Sequence, residues 1–206
     1  ITIDGGANWS HFTNNMPSVA VHFMDINKKT NSLVMATHGR GVIILDDITP
    51  LRQINQEVLA KDVHFFDLKP AIIEEQSSFG TTATELEFVG RNPSTSAQII
   101  YYLKKRHTLG KMDIEIQDEK GNKIISLAPG KQKGINVLNW DYNMKNPKIA
   151  AAKTLSFAGF TAPRVQEGTY KVVLTKGKET YTHNLKVLND PKSSISAADR
   201  LKQKET

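Results

Sequence analysis

Apolar runs separated by polar turns organise the first fifty residues. Residues 19–26 are apolar and β-branched, Asn27-Lys28-Lys29-Thr30-Asn31 is a polar turn, residues 32–37 form a second run, and residues 41–45 form a third after His38-Gly39-Arg40. This pattern predicts a three-stranded meander. Two stretches of it, Leu33-Val34-Met35-Ala36 and Val42-Ile43-Ile44-Leu45, are continuous rather than alternating. Continuous runs belong to strands covered on both faces.

The pattern breaks at Asp46-Asp47-Ile48-Thr49-Pro50. Thr49 as N-cap, with Pro50 at the first helical position, predicts a short helix there. Residues 63–67 read as a brief extended segment, and residues 68–84, with Pro70, Ser77, Ser78 and Gly80, read as a linker. The second half is strand-rich. Strands are expected over residues 97–103, 112–117 and 123–127, the last two joined across Asp118-Glu119-Lys120-Gly121-Asn122, whose glycine supplies a positive φ. Residues 134–142 form another, carrying Trp140, and an irregular stretch over 143–166 holds Pro147, Gly159 and Pro163. Residues 169–175 and 180–188 then make a hairpin across Lys176-Gly177-Lys178-Glu179. Strands at this spacing without helices predict a β-sandwich, with Trp140, Tyr170 and Phe88 in its core. From Asp190 the chain turns polar, and Ser196 is placed to cap a short helix.

Composition adds limits. Hydrophobic residues make up 39% and charged residues 23%, the range of an ordinary globular domain, so a packed core is expected. No stretch approaches the roughly 18 apolar residues of a membrane span, and the first residues lack the basic and apolar regions of a signal peptide. Zero cysteines exclude disulfides, thiolate metal sites and a cysteine nucleophile. The net charge of +6 is spread along the chain, with one denser run at Lys104, Lys105, Arg106, His107 and Lys111. That run reads as a solvated loop. Nucleic-acid binding through it, with Tyr101 and Tyr102 beside it, is set aside because a clustered basic face is not evident.

The most specific local pattern is Thr2-Ile3-Asp4-Gly5-Gly6-Ala7-Asn8-Trp9. It matches the Asp-box, S/T-x-D-x-G-x-x-W, at Thr2, Asp4, Gly6 and Trp9. The Asp4 carboxylate can accept from backbone N–H groups of the turn, the glycines permit positive φ, and Trp9 can fold over the hairpin. Such chemistry is spent on the motif's own backbone and is structural. A β-propeller blade, held between neighbouring blades, would also supply the two-sided cover that the meander's continuous runs require.

With Thr37-His38-Gly39-Arg40-Gly41 and Leu45-Asp46-Asp47-Ile48-Thr49-Pro50-Leu51-Arg52, the chain resembles the end of the propeller in bacterial proteins of the sortilin-type and BNR-repeat, glycosyl-hydrolase-like families. Ile99-Ile100-Tyr101-Tyr102-Leu103, Asn139-Trp140-Asp141 and Glu167-Gly168-Thr169-Tyr170 fit the immunoglobulin- or fibronectin-like domain that follows in such proteins. The resemblance implies an all-β chain: terminal strands of an Asp-box propeller over 1–67, a linker over 68–84, an immunoglobulin-like β-sandwich over 85–189 and a polar tail over 190–206. It implies a secreted or periplasmic parent, and the remaining propeller blades as partners.

Only His38 and Arg40 are nominated for ligand binding, as two long polar side chains flanking Gly39 at a strand-to-strand turn. The competing expectation is that Arg40 pairs with Asp46 or Asp47 and that His38 caps the turn. The six histidines show no metal-ligand spacing, and no cofactor is expected. Asp46-Asp47 and Glu74-Glu75 are adjacent pairs whose members point to opposite faces of a strand, which is unsuited to acid and base work on one glycosidic bond. Ser77-Ser78 lacks a nucleophile-elbow context. The expected function is a non-catalytic structural or interaction region that takes a protein or glycan ligand, with no nucleic acid and no membrane span. The alternative is a fragment of a glycoside hydrolase whose active site lies in missing blades.

Overall fold

The computed structural model describes residues 1–13, 15–74, 94–146, 148, 162–196, 199–200 and 202. The chain is mostly strand. β1 (Val21–Asn27), β2 (Ser32–Thr37) and β3 (Val42–Leu45) pair antiparallel in chain order, as the meander pattern predicts. Residues directly opposite one another share a face. One face therefore carries Phe23, Ala36 and Val42 with Val34 and Ile44, and the other carries Met24, Met35 and Ile43 with Ile26, Leu33 and Leu45.

Two short helices follow, α1 (Thr49–Gln53) and α2 (Gln56–Ala60). The first differs from expectation by one residue, because Ile48 occupies the cap position and Thr49 lies inside the helix. The reason is Asp47, whose Oδ1 accepts from the Thr49 nitrogen at 2.8 Å and so satisfies a helix N–H that lacks an intrahelical partner. The Thr49 hydroxyl is instead engaged by Asn31 Nδ2 at 2.6 Å. The second helix was not expected; Asn55 caps it, accepting from the Val58 nitrogen at 2.9 Å.

The remaining strands are β4 (Val63–Phe65), β5 (Ala71–Ile73), β6 (Ala97–Leu103), β7 (Met112–Gln117), β8 (Lys123–Leu127), β9 (Gly134–Trp140), β10 (Gly168–Lys176) and β11 (Glu179–Asn189). They form a three-stranded sheet ordered β4-β6-β9 and a five-stranded sheet ordered β5-β11-β10-β7-β8. Every pairing is antiparallel except that of β5 with β11. The two sheets share one core, to which Tyr101 and Leu103 contribute from the first and Ile114, Ile116, Val172 and Leu174 from the second. Buried and outward residues alternate along β7, which places one face of its sheet inside, whereas β6 is buried on both faces, its Ile100 and Tyr102 clustering with Val58 and Phe66.

The paired sheets begin at Val63, earlier than the expected start at residue 85. β4 runs along β6, and β5, inside the expected linker, runs along β11. Residues 75–93, which include Glu75, Ser77, Ser78 and Phe88, lie outside the described residues, as do Pro147, Gly159 and, in the expected tail helix, Ala197, Ala198 and Leu201. At that helix Ser196 does act as expected, its Oγ accepting from the Asp199 nitrogen at 3.2 Å. Trp140 is buried at 1% exposure, its Nε1 donating to the Asn143 carbonyl at 2.9 Å, and the ring of Tyr170 meets it edge-on at 5.5 Å.

Candidate functional site

The hairpin at residues 1–10 closes on itself, with the Ile1 nitrogen donating to the Ser10 carbonyl at 2.7 Å and the Ser10 nitrogen returning to the Ile1 carbonyl at 2.8 Å. Inside it, Asp4 Oδ1 accepts from the Asn8 nitrogen at 3.0 Å and from the Thr2 hydroxyl at 2.8 Å, while Oδ2 accepts from Asn8 Nδ2 at 2.7 Å. The Thr2 oxygen in turn accepts from the Gly6 nitrogen at 3.0 Å. These donors, led by the Asn8 backbone, hold the Asp4 carboxyl down at about 2. Gly5 and Gly6 take φ of 72° and 99°, which a side chain would strain. Trp9 lies over the turn, its Nε1 donating to the Gly6 carbonyl at 3.1 Å, yet 73% of it stays exposed. Asn8 was missed from sequence because the motif leaves that position undefined, although it supplies two of the donors to Asp4.

His38 and Arg40 are held out from the β2–β3 turn, where the Thr37 nitrogen and hydroxyl both donate to the Gly41 carbonyl, at 3.0 and 2.7 Å. Both side chains are exposed. The expected pairing of Arg40 with Asp46 or Asp47 is not made among the described residues, and Asp47 is occupied by Thr49 and Asn31. His38 holds its turn through its backbone, which donates to the Ala20 carbonyl at 2.9 Å. Its ring stacks instead on His22, 5.2 Å between centroids. That neighbour is sixteen positions away and reaches His38 only through the Val21 to Thr37 register, so no local spacing could reveal it.

A groove of about 660 Å³ separates the hairpin from the β1–β3 sheet, lined by Trp9, Phe12, Met24, Leu33, Met35 and Leu51 among others. It is apolar on both walls. The opposite face of the sheet is open, with Phe23 68%, Val42 63% and Ile44 57% exposed. This short meander is therefore apolar on both sides, and neither side is fully covered.

Three acidic residues of the paired sheets are committed to local partners. Asp113 pairs with Lys111 at 2.9 Å and Glu115 with Lys123 at 2.6 Å, while Asp118 accepts from the Asn122 nitrogen and side chain at 2.8 and 2.9 Å. Those bonds from Asn122 push the Asp118 carboxyl down, leaving it a turn-holding anion. Among the described residues no three His, Asp or Glu side chains converge on a metal position. No helix among them is long and apolar enough to cross a membrane. No protein-family model, no curated protein and no solved structure matches this chain.

Proposed function

We propose that the chain is a non-catalytic structural and interaction region: closing strands of an Asp-box propeller, followed by an immunoglobulin-like sandwich. The observation that carries this reading is the two-sided apolar sheet β1–β3, whose Phe23, Val42 and Ile44 stand open on one face while the other face forms the apolar groove. A sheet of that kind is stable in water only between neighbours. Adjacent blades of a ring supply such neighbours, and the hairpin carrying Thr2, Asp4, Gly6 and Trp9 faces one side across the groove.

Support for the immunoglobulin-like half comes from strand order. In the lettering of such domains β6 and β9 fall in one sheet as B and E, and β7, β10 and β11 fall in the other as C, F and G. At the start of β10 the Tyr170 hydroxyl donates to the Gln166 carbonyl at 2.7 Å, the bond of a tyrosine corner. Among the described residues of the paired sheets, Asp113 and Glu115 are held by lysines and Asp118 by its own turn, which leaves them unsuited to the acid and base roles of glycoside cleavage. His38 and Arg40 remain the side chains proposed to meet a protein or glycan ligand. A screen with aryl glycosides should give no turnover; turnover abolished by His38→Ala would contradict the non-catalytic role.

The test of the structural role is light scattering on the chain and on Phe23→Lys/Val42→Lys. The parent sequence should self-associate in a concentration-dependent way and bind a hydrophobic dye, and the variant should do so less. A strictly monomeric, dye-silent parent chain would count against it.

A further inference from the structure

Three loops meet at one end of the paired sheets: β6–β7 at 104–111, β8–β9 at 128–133, and the β10–β11 turn. The His107 nitrogen donates to the Lys131 carbonyl at 2.9 Å, and the Gly177 nitrogen to the Lys111 carbonyl at 3.0 Å, so the loops are bonded into one surface. Asn136, itself buried, fixes the middle loop by accepting from the Gln132 nitrogen at 3.1 Å and donating to the Gln132 and Gly134 carbonyls at 2.8 and 3.1 Å. The Tyr101 hydroxyl, pushed up to about 12 by burial, donates to the Gly130 carbonyl at 2.6 Å.

On this platform Gly110, at φ 89°, turns the first loop so that Leu109 projects with 86% exposure, the most exposed large apolar side chain among the described residues. The same loops and the strand ends beside them carry cations. Lys111 is neutralised by Asp113 and Lys176 by Asp62. Lys104 donates to the Ala60 carbonyl at 3.2 Å, and Lys105, Arg106, Lys131, Lys133 and Lys178 have no carboxylate partner among the described residues.

We propose that this end of the molecule docks on an anionic lipid surface, with Leu109 entering the boundary between headgroups and acyl chains and the cations of these loops facing lipid phosphates. An apolar tip on a loop surface that carries lysine and arginine without carboxylate partners uses both attractions that peripheral membrane binding requires: buried apolar area and charge. A soluble polyanion would engage the cations but leave Leu109 in water. A single-stranded nucleic acid would further want exposed aromatic faces, whereas Tyr101 and Tyr102 are buried. One leucine gives reversible attachment, screened by salt. The proposal stands on the paired sheets alone and does not depend on the propeller reading.

The experiment is sedimentation of the whole chain with phosphatidylcholine vesicles, with and without about 30% phosphatidylserine, at low and at physiological salt. Binding should need the anionic lipid and weaken with salt. Lys105→Glu/Arg106→Glu should weaken it at least roughly 25-fold, at about fivefold per cation lost. Leu109→Ser should weaken vesicle binding several-fold while leaving heparin retention and thermal unfolding unchanged. Equal binding to neutral vesicles, no vesicle binding, or a Leu109→Ser variant that binds like the parent would overturn the proposal. So would retention on heparin or an oligonucleotide without vesicle binding.

Discussion

The ring of Phe65 lies stacked on the imidazole of His183, with 5.4 Å between centroids and 17° between planes. Phe65 belongs to β4, an edge strand of the three-stranded sheet, and His183 to β11, which lies between β5 and β10 in the five-stranded one, so the contact joins the two sheets. Nearby, His64 meets Phe66 edge-on at 5.2 Å.

Burial of these imidazoles predicts a pH-dependent stability. Burial pushes both His183 and His64 below the ordinary histidine value, and Asp67, at 3.8 Å from His183 Nδ1, only partly opposes it because its side chain is 91% exposed. A depressed histidine favours the neutral ring in the folded state. The stabilisation is therefore complete above the unfolded value of about 6.5 and is lost as pH falls below it. Thermal midpoints measured from about pH 7.5 to about pH 5 should fall, and His183→Gln should flatten the fall. A profile unaffected by the substitution would remove His183 from the account.

Trp140 and Tyr170 separate packing from hydrogen bonding. Trp140→Ala empties a fully buried site and should cost about 3–5 kcal/mol by urea unfolding. Tyr170→Phe keeps the ring against Trp140 and removes only the bond to the Gln166 carbonyl, so about 1 kcal/mol is expected. Equal losses from the two changes would mean that the tyrosine corner is part of the core packing rather than a tether.

Asp4→Ala should act locally. The amides of Gly6 and Asn8 should lose protection from exchange, while the thermal transition of the paired sheets stays where it is. Because the Asp4 carboxyl is depressed to about 2, the hairpin's protection should be present above its ordinary value and disappear only as pH falls through about 2. A shift in the main transition would show that the hairpin is built into the core.

The strands that carry a long pattern were legible: residues 32–37, 97–103, 112–117 and 123–127 stand where their apolar periodicity puts them. β5 was not legible, since Ala71–Ile73 is too short to show a period and its parallel partner, Val187 to Asn189, is far along the chain. β4 was visible as an extended segment, but its attachment to β6 depends on a pairing that no local signal encodes. At the nominated site, Gly39 and Gly41 beside His38 and Arg40 pointed to a strand-to-strand turn, which stands between β2 and β3. The His22 stack and the meeting of Lys131, Lys133 and Lys178 with the Leu109 loop were hidden because each arises from register or from loops that meet, and the Asn8 donors because the motif leaves that position undefined.

The central claim is that a self-sufficient pair of sheets carries a third sheet whose apolar faces await partners. Hydrogen exchange on the whole chain tests it most directly, because protection reports which segments open together. The account predicts that amides of β6, β7, β10 and β11 exchange together, at the rate of global unfolding, while those of β1 and β3 exchange about 100-fold faster or more. Protection of β1 and β3 equal to that of the core strands, in a dilute monomeric sample, would contradict it.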